Sequence, residues 1–287
     1  MSYKASWTKS IARILLILTI LYVVALVVIF FAQRRFLYFP RTSAINSMLE
    51  EAQKEGLAPW RNGKNEIIGW KRSSQTNAPH KCALIVHGNA GCAVDRAHYA
   101  TALQQTGVWD VYILEYPGYG ARPGSPSRET LCQAADEAIV LLEKEAPVFV
   151  IGESIGTGVA TYLTHSKGVA GLLLIAPYDD LAEVAQLHMP IFPVHKILKD
   201  RFIPINDLSH YKGPVAVLLA GRDEVVPNQF GRKLYESYEG PKKVWLIQDA
   251  SHNSVGNQPV SWWQDLIAFW QNPYESPTLR QAQFRTQ

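Results

Sequence analysis

The sequence predicts an α/β fold, a mostly parallel sheet flanked by helices on both faces, preceded by one helix long enough to cross a membrane. Six short apolar runs come first: Cys82–Val86, Val111–Leu114, Val148–Ile151, Leu172–Ala176, Val215–Ala220 and Val244–Ile247. They are β-branched and carry no polar face, as strands buried on both sides require. Amphipathic helical stretches lie between them, which makes a right-handed βα succession the simplest topology. Finally, Ile14 to Ala32 runs for nineteen residues without a charge.

That first run measures about 28 Å as a helix, close to the thickness of a hydrocarbon core. Arg13 precedes it, and Arg34, Arg35, Phe36, Tyr38 and Phe39 follow, residues suited to a membrane interface. A cleaved signal peptide is the competing reading, but its best cleavage site, Val23-Val24-Ala25, lies mid-run with Leu26 to Phe31 still to come. Residues 1–41 hold Lys4, Lys9, Arg13, Arg34, Arg35 and Arg41 and no acid, so the net charge of +3 hides a slightly acidic remainder. Charge gathered around an apolar run marks a membrane segment rather than a nucleic-acid groove. Three basic residues flank each end, so charge alone does not orient the segment.

Residues 36–59 read as a polar linker with a helical piece, Asn46–Glu55. Arg61-Asn62-Gly63-Lys64 then supplies an Asn-Gly hairpin turn before the alternating run Glu66–Arg72. Helices are expected at Arg96–Thr106, Ser127–Glu145, Ser154–His165, Gln229–Tyr238 and Val260–Asn272. The second is the clearest: Ser127 is placed as N-cap, and Leu131, Ala134, Ala135, Ala138, Leu141 and Leu142 follow a helical period. The chain thus divides into an anchor (1–35), a linker (36–59), a main domain (60–272) and a polar tail (273–287). Cys82, Cys92 and Cys132 form neither a CxxC pair nor a metal-ligand spacing, and are expected to be buried packing residues.

Ligands of such sheets sit beyond the carboxyl ends of the strands, so the residues after each strand carry the chemistry. Gly152-Glu153-Ser154-Ile155-Gly156 follows Val148–Ile151 and opens a helix. A sharp strand-to-helix turn would expose Ser154 as a nucleophile, with Gly152 and Gly156 leaving room for the neighbouring backbone. The five-residue pattern alone arises by chance in about one chain of this length in ten, so its context decides. Asp223 follows one late strand and His252 the next, giving the order Ser, Asp, His. His252 would take the proton of Ser154 while Asp223 fixes its tautomer. Asp249, Asp179 and Asp180 are alternative acids. His87-Gly88-Asn89-Ala90-Gly91 follows Cys82–Val86, and the N–H groups of Asn89 and Ile155 are expected to form an oxyanion hole, with Ala90 as the alternative to Asn89. His87 reads as a brace for that loop.

His-Gly-Asn-Ala-Gly, Glu-Tyr-Pro-Gly-Tyr-Gly (Glu115–Gly120), Gly-Glu-Ser-Ile-Gly and Gly-Arg-Asp-Glu-Val-Val-Pro together resemble the α/β-hydrolase superfamily over about residues 60–270. With the apolar N-terminal segment leading into Gln33–Pro40, the chain is similar to its membrane-anchored branch of lysophospholipid lipases, protein depalmitoylases and serine-aminopeptidase-like hydrolases. The resemblance implies Ser154 as nucleophile, Asp223 as acid and His252 as base. Glu115 stands where many relatives have Asp, a change that should touch loop support more than chemistry. No cysteine precedes Cys82, so the lipidation cluster of the depalmitoylases has no counterpart and a helix takes its place.

Between two strands, residues 177–214 leave room for a small cap of two or three short helices. Its segment His188–Phe202 is rich in apolar side chains, of which Met189 and Phe192 are candidate acyl-binding contacts; packing over the core is the alternative. The function expected is a membrane-anchored serine hydrolase cleaving carboxylic esters or thioesters of lipid-like or acylated substrates, without cofactor or metal. Amide or peptide hydrolysis by the same triad and a non-catalytic binding role are the alternatives. A dinucleotide site at Gly156-Thr157-Gly158 lacks its third glycine, since Thr161 stands there.

Overall fold

The computed structural model describes residues 2–74 and 81–274. In chain order its strands are β1 (Phe39–Pro40), β2 (Ala58–Arg61), β3 (Ile67–Arg72), β4 (Lys81–Val86), β5 (Ala90–Gly91), β6 (Trp109–Leu114), β7 (Val148–Glu153), β8 (Val169–Ile175), β9 (Val215–Ala220) and β10 (Lys242–Ile247). The α-helices are α1 (Ser2–Leu37), α2 (Ile45–Lys54), α3 (Ala97–Gln104), α4 (Arg128–Leu142), α5 (Ile155–Tyr162), α6 (Leu181–His188), α7 (Val194–Ile197), α8 (Pro204–Asp207), α9 (Asn228–Ser237) and α10 (Val260–Gln271).

Eight strands form one sheet in the order β10-β9-β8-β7-β4-β6-β3-β2. The β2–β3 and β3–β6 pairs are antiparallel and the others parallel. Alternate residues of each strand feed two separate cores. Leu84 and Val86 join one with Leu131, Val159 and Leu234 of α4, α5 and α9. Ala83 and Ile85 join the other with Leu103, Trp263 and Trp270 of α3 and α10. The strand runs have no polar face because both faces are covered. The direction of strand succession reverses at β4, which sits between β6 and β7, so the crevice at a topological switch point opens beyond the ends of β4 and β7.

Ser127 caps α4, its hydroxyl accepting the N–H of Thr130. The Asn-Gly turn differs from its expected form. The reversal spans Asn62 to Glu66, the Asn62 side chain accepting the N–H groups of Lys64 and Glu66. Asn65, rather than Gly63, takes the left-handed conformation, at φ 65°; with a side chain already fixing the loop, the tighter two-residue turn is not needed.

The expected linker is part of the domain. Met48, Ala52 and Leu57 are buried in the second core and Tyr38 in the first. β1 pairs with β5, Phe39 donating to the Asn89 carbonyl at 2.8 Å. Two polar stretches around a short amphipathic helix concealed this in the sequence, because the buried side chains are few and widely spaced. The expected tail lies, from residue 275 on, outside the described residues. The insertion after β8 forms α6, α7 and α8. All three cysteines are buried and free.

α1 has the length and composition to cross a membrane over Ser10–Leu37. Ile14 to Leu21 stand exposed, whereas Ala25, Leu26, Ile29, Ala32 and Gln33, on one helical face, are partly buried, and Gln33 bonds the cap at Ile197 and Lys199.

Candidate active site

Ser154 sits between β7 and α5 at φ 53°, ψ −120°. A non-glycine residue there costs about 1–3 kcal/mol and persists only where its surroundings over-determine it. They do so here: the Ser154 N–H donates to the Ile175 carbonyl at 2.9 Å, and its own carbonyl accepts from the N–H and hydroxyl of Thr157. A Cβ on Gly152 would lie 2.6 Å from the Gly156 carbonyl oxygen, and one on Gly156 would lie 2.3 Å from that of Val86. The glycines therefore allow the start of α5 to press against both its own strand and the end of β4.

His252, in the turn after β10, lies with Nε2 3.0 Å from Ser154 Oγ. Its Nδ1 is 2.8 Å and 3.0 Å from the two oxygens of Asp223, in the turn after β9. The Asp223 side chain is 1% exposed and that of His252 11%. Asp223 Oδ1 also accepts the N–H groups of Val225 and Val226, at 3.0 and 2.7 Å. A carboxylate so held keeps Nδ1 as the donor and leaves Nε2 free to accept from the serine hydroxyl. The other acids are engaged elsewhere. Asp249 pairs with Arg222 at the surface, Asp180 caps α6 and binds Arg201, and Asp179 pairs with Lys233.

Ile155 is the first residue of α5, so its N–H has no intrahelical acceptor. Asn89 follows β4 in the loop that Gly156 abuts. Its carbonyl is occupied by Phe39 N–H and by the Tyr119 hydroxyl, at 2.8 and 2.7 Å, and its side-chain amide donates to the Leu37 carbonyl. The loop's outer polar groups are thus tied down by the segment following α1. His87 is fully buried, with Nδ1 2.8 Å from the Gly88 carbonyl and its ring 4.2 Å from that of Tyr116. Its backbone carbonyl accepts from the Tyr116 hydroxyl, an arrangement that braces the loop. Glu115, also buried, accepts from the Ala93 N–H at 3.0 Å and supports the same segment from below.

One functional neighbour escaped sequence reasoning. Glu153, directly before Ser154, receives Arg96 Nε and Nη2 at 3.0 and 2.7 Å and the Tyr99 hydroxyl at 3.1 Å. Burial alone would push its carboxyl up, but Arg96 and these hydrogen bonds outweigh it and hold the group below the usual carboxylate range. Arg96 lies 57 residues away in sequence, so no local pattern marked the pair. A cleft of about 380 Å³ opens beside it, lined by Asp95, Arg96, Tyr99, Glu153, His252 and Asn253 among others. Met189 is half-buried in the turn after α6, and the half-buried Phe192 stacks on Tyr22 of α1 at 5.9 Å. Among the described residues no group of three His, Cys, Asp or Glu side chains is arranged to hold a metal ion.

Residues 77–204 match the hydrolase family described as serine aminopeptidase, S33. The chain is 31% identical over 228 residues to the uncharacterized protein Rv2307c of Mycobacterium tuberculosis, covering 77% of this chain and 80% of that one. It is 29% identical over 201 residues to the lysophosphatidylserine lipase ABHD12 of Danio rerio, covering 62% of this chain and 52% of the lipase. Among solved structures, the esterase Pf2001 of Pyrococcus furiosus superposes with a TM-score of 0.59 at 16% identity, over 82% of this chain and 97% of that one. The Paleococcus ferrophilus monoacylglycerol lipase gives 0.53 at 18%, over 70% and 96%. At such identities the superpositions speak for the fold. Sequence relatives and fold agree, and the chain belongs to the α/β-hydrolase superfamily.

Proposed function

We propose that the protein is a membrane-anchored serine hydrolase that cleaves carboxylic esters or thioesters through an acyl-enzyme on Ser154, acting on lipid-like or acylated substrates. The observation that carries this reading is the chain of contacts from Ser154 Oγ through His252 to the buried Asp223, 3.0 Å at one end and 2.8 Å at the other. In it, Ser154 Oγ attacks the substrate carbonyl carbon as Nε2 of His252 takes its proton. Asp223 stabilises the imidazolium that results. The N–H groups of Ile155 and Asn89 receive the oxyanion, and His252 returns the proton to the leaving alkoxide or thiolate. Water, deprotonated by the same imidazole, then releases the acid and restores Ser154.

The lipid-like substrate is supported by a sequence relative named as a lysophosphatidylserine lipase, and by the apolar α1 that would hold the domain at a bilayer. Met189 and Phe192, between the cap and α1, are the proposed contacts of the acyl chain. Amide hydrolysis is the second reading, favoured by the aminopeptidase description of the matched family. Wild type and Ser154→Ala, compared on a fluorophosphonate probe, long-chain lysophospholipids and aminoacyl amides, test both. Probe labelling and lysophospholipid turnover lost in the variant support the proposal. Labelling that survives the substitution removes Ser154 from its role, and turnover of the amide alone replaces the ester reading.

A further inference from the structure

The cap does not stand clear of the membrane helix but runs along it. Lys199 N–H donates to the Gln33 side chain at 2.7 Å, and the Gln33 amide donates to the Ile197 carbonyl. At the far end the Tyr22 hydroxyl donates to the Ile191 carbonyl at 2.9 Å, and the Tyr22 ring stacks on Phe192. Gln33 and Tyr22 are eleven residues apart, about 16 Å along the helix axis, which is one leaflet of hydrocarbon. Arg34, beside Gln33, is held to the buried Asp200 through two bonds of 2.8 and 3.0 Å, and Lys199 Nζ lies 4.0 Å from the centre of the Phe30 ring. Cationic side chains therefore mark the interface level, and Ile191 lies one leaflet deeper.

The chemistry of the turn suits that depth. Irregular backbone survives in hydrocarbon only when the protein itself satisfies its polar groups. Every carbonyl from Met189 to Pro193 has a donor. The Gln186 side-chain amide donates to Met189 and Pro190, Tyr22 to Ile191, Val194 N–H to Phe192 and Lys196 N–H to Pro193. Pro190 and Pro193 have no N–H to satisfy, and the Gln186 side-chain oxygen Oε1 accepts the Val194 N–H at 3.1 Å. Of the outward side chains, Ile191 (70% exposed) and Leu187 (50%) are apolar, and the exposed His188 has its imidazole engaged by the Val225 carbonyl. In water such a tip would be poorly placed; beside a spanning helix it continues the helix's own apolar surface.

We propose that the cap turn 187–194 is inserted in the leaflet on the domain's side of the bilayer, in contact with lipid hydrocarbon, so that a lipid-borne acyl chain reaches the site from within the membrane. This rests on α1 being a membrane anchor and deepens the lipid-like substrate reading. His188, which bonds the Val225 carbonyl two residues from Asp223, links the inserted turn to the site.

Because the three native cysteines are buried, Ile191→Cys in the full chain can be labelled with an environment-sensitive NBD maleimide in vesicles of phosphatidylcholine and phosphatidylglycerol. Lys144→Cys, between α4 and the start of β7 and so at the amino ends of the parallel strands, away from the site, is the aqueous reference. The proposal expects the label at 191 to be shielded from aqueous dithionite and quenched by doxyl lipids, and that at 144 to behave oppositely. Equal dithionite access at both positions overturns it, provided that the protein resists alkaline carbonate extraction; release by carbonate overturns the anchor itself. Ile191→Asn provides an independent readout: turnover of a vesicle-borne lysophospholipid falls about tenfold while turnover of soluble p-nitrophenyl butyrate is retained. Unchanged turnover of both substrates overturns the proposal, and loss of both would come from misfolding that the labelled Ile191→Cys protein, still active on the soluble ester, bypasses.

Discussion

Glu153 and Arg96 form a two-bond ion pair directly beneath Ser154, and the Tyr99 hydroxyl completes the carboxylate's shell. The pair ties the loop and helix after β4 to the last residue of β7, so it fixes the elbow relative to the loop carrying Asn89. Arg96→Ala removes two of these three hydrogen bonds, leaves that of the Tyr99 hydroxyl, and should lower stability by about 2 kcal/mol. Thermal unfolding measures this loss, and steady-state kinetics should show kcat falling more than KM rises.

The same carboxylate makes part of the protein's stability depend on acid. Its folded value is held below the unfolded one, so its contribution is complete above the ordinary carboxyl range, near pH 4.3, and drains away as pH falls through the lowered folded value. Glu153→Gln should flatten the acid limb of a melting temperature profile measured from about pH 6 to pH 3. An unchanged limb would assign acid unfolding to other carboxylates.

Ser154 stands in a conformation that glycine adopts freely. Replacing it by alanine or glycine removes the hydroxyl equally, but only glycine relieves the backbone. Ser154→Gly should therefore melt at or above Ser154→Ala, reversing by about 1 kcal/mol the order that holds at ordinary positions. Both should be inert toward a fluorophosphonate.

Gly156 is bounded by backbone rather than by side chains that could move. A methyl group there would meet the carbonyl oxygens of Val86 and His87 at 2.3 and 2.6 Å. Gly156→Ala should cost about 2–3 kcal/mol and displace the start of α5 from the β4 loop. A melting temperature equal to that of wild type would contradict the packing described.

Asp200 is 3% exposed and depends on Arg34 for two of its hydrogen bonds. Arg34→Ala should destabilise the domain in detergent by about 1–3 kcal/mol and quicken proteolysis of the cap at Lys196 and Lys199. Arg34→Lys should restore only part of the stability, since a single ammonium cannot replace the fork.

The sheet was legible because burial on both faces forces uninterrupted apolar runs, and each of the six runs falls on a strand, with only Ala176 passing one residue beyond β8. That Ser154, Asp223 and His252 would meet was legible because each lies in the turn that follows such a run. Glu153–Arg96 was not, since an ion pair between distant turns leaves no periodicity. Nor was the role of Gln186, because a side-chain amide that bonds the backbone of a following irregular turn leaves no spacing pattern in the sequence. The segment after α1 misled for a different reason: Met48, Ala52 and Leu57 are too sparse to announce a core, yet they seat α2 and let β1 pair with β5.

The thiols of Cys82, Cys92 and Cys132 are enclosed by the two cores, and burial pushes each of them up to about 12. At neutral pH they stay protonated and out of reach of oxidants. The fold therefore needs no particular redox environment to mature, and the hydrolase should perform alike in a reducing cytosol and an oxidising envelope.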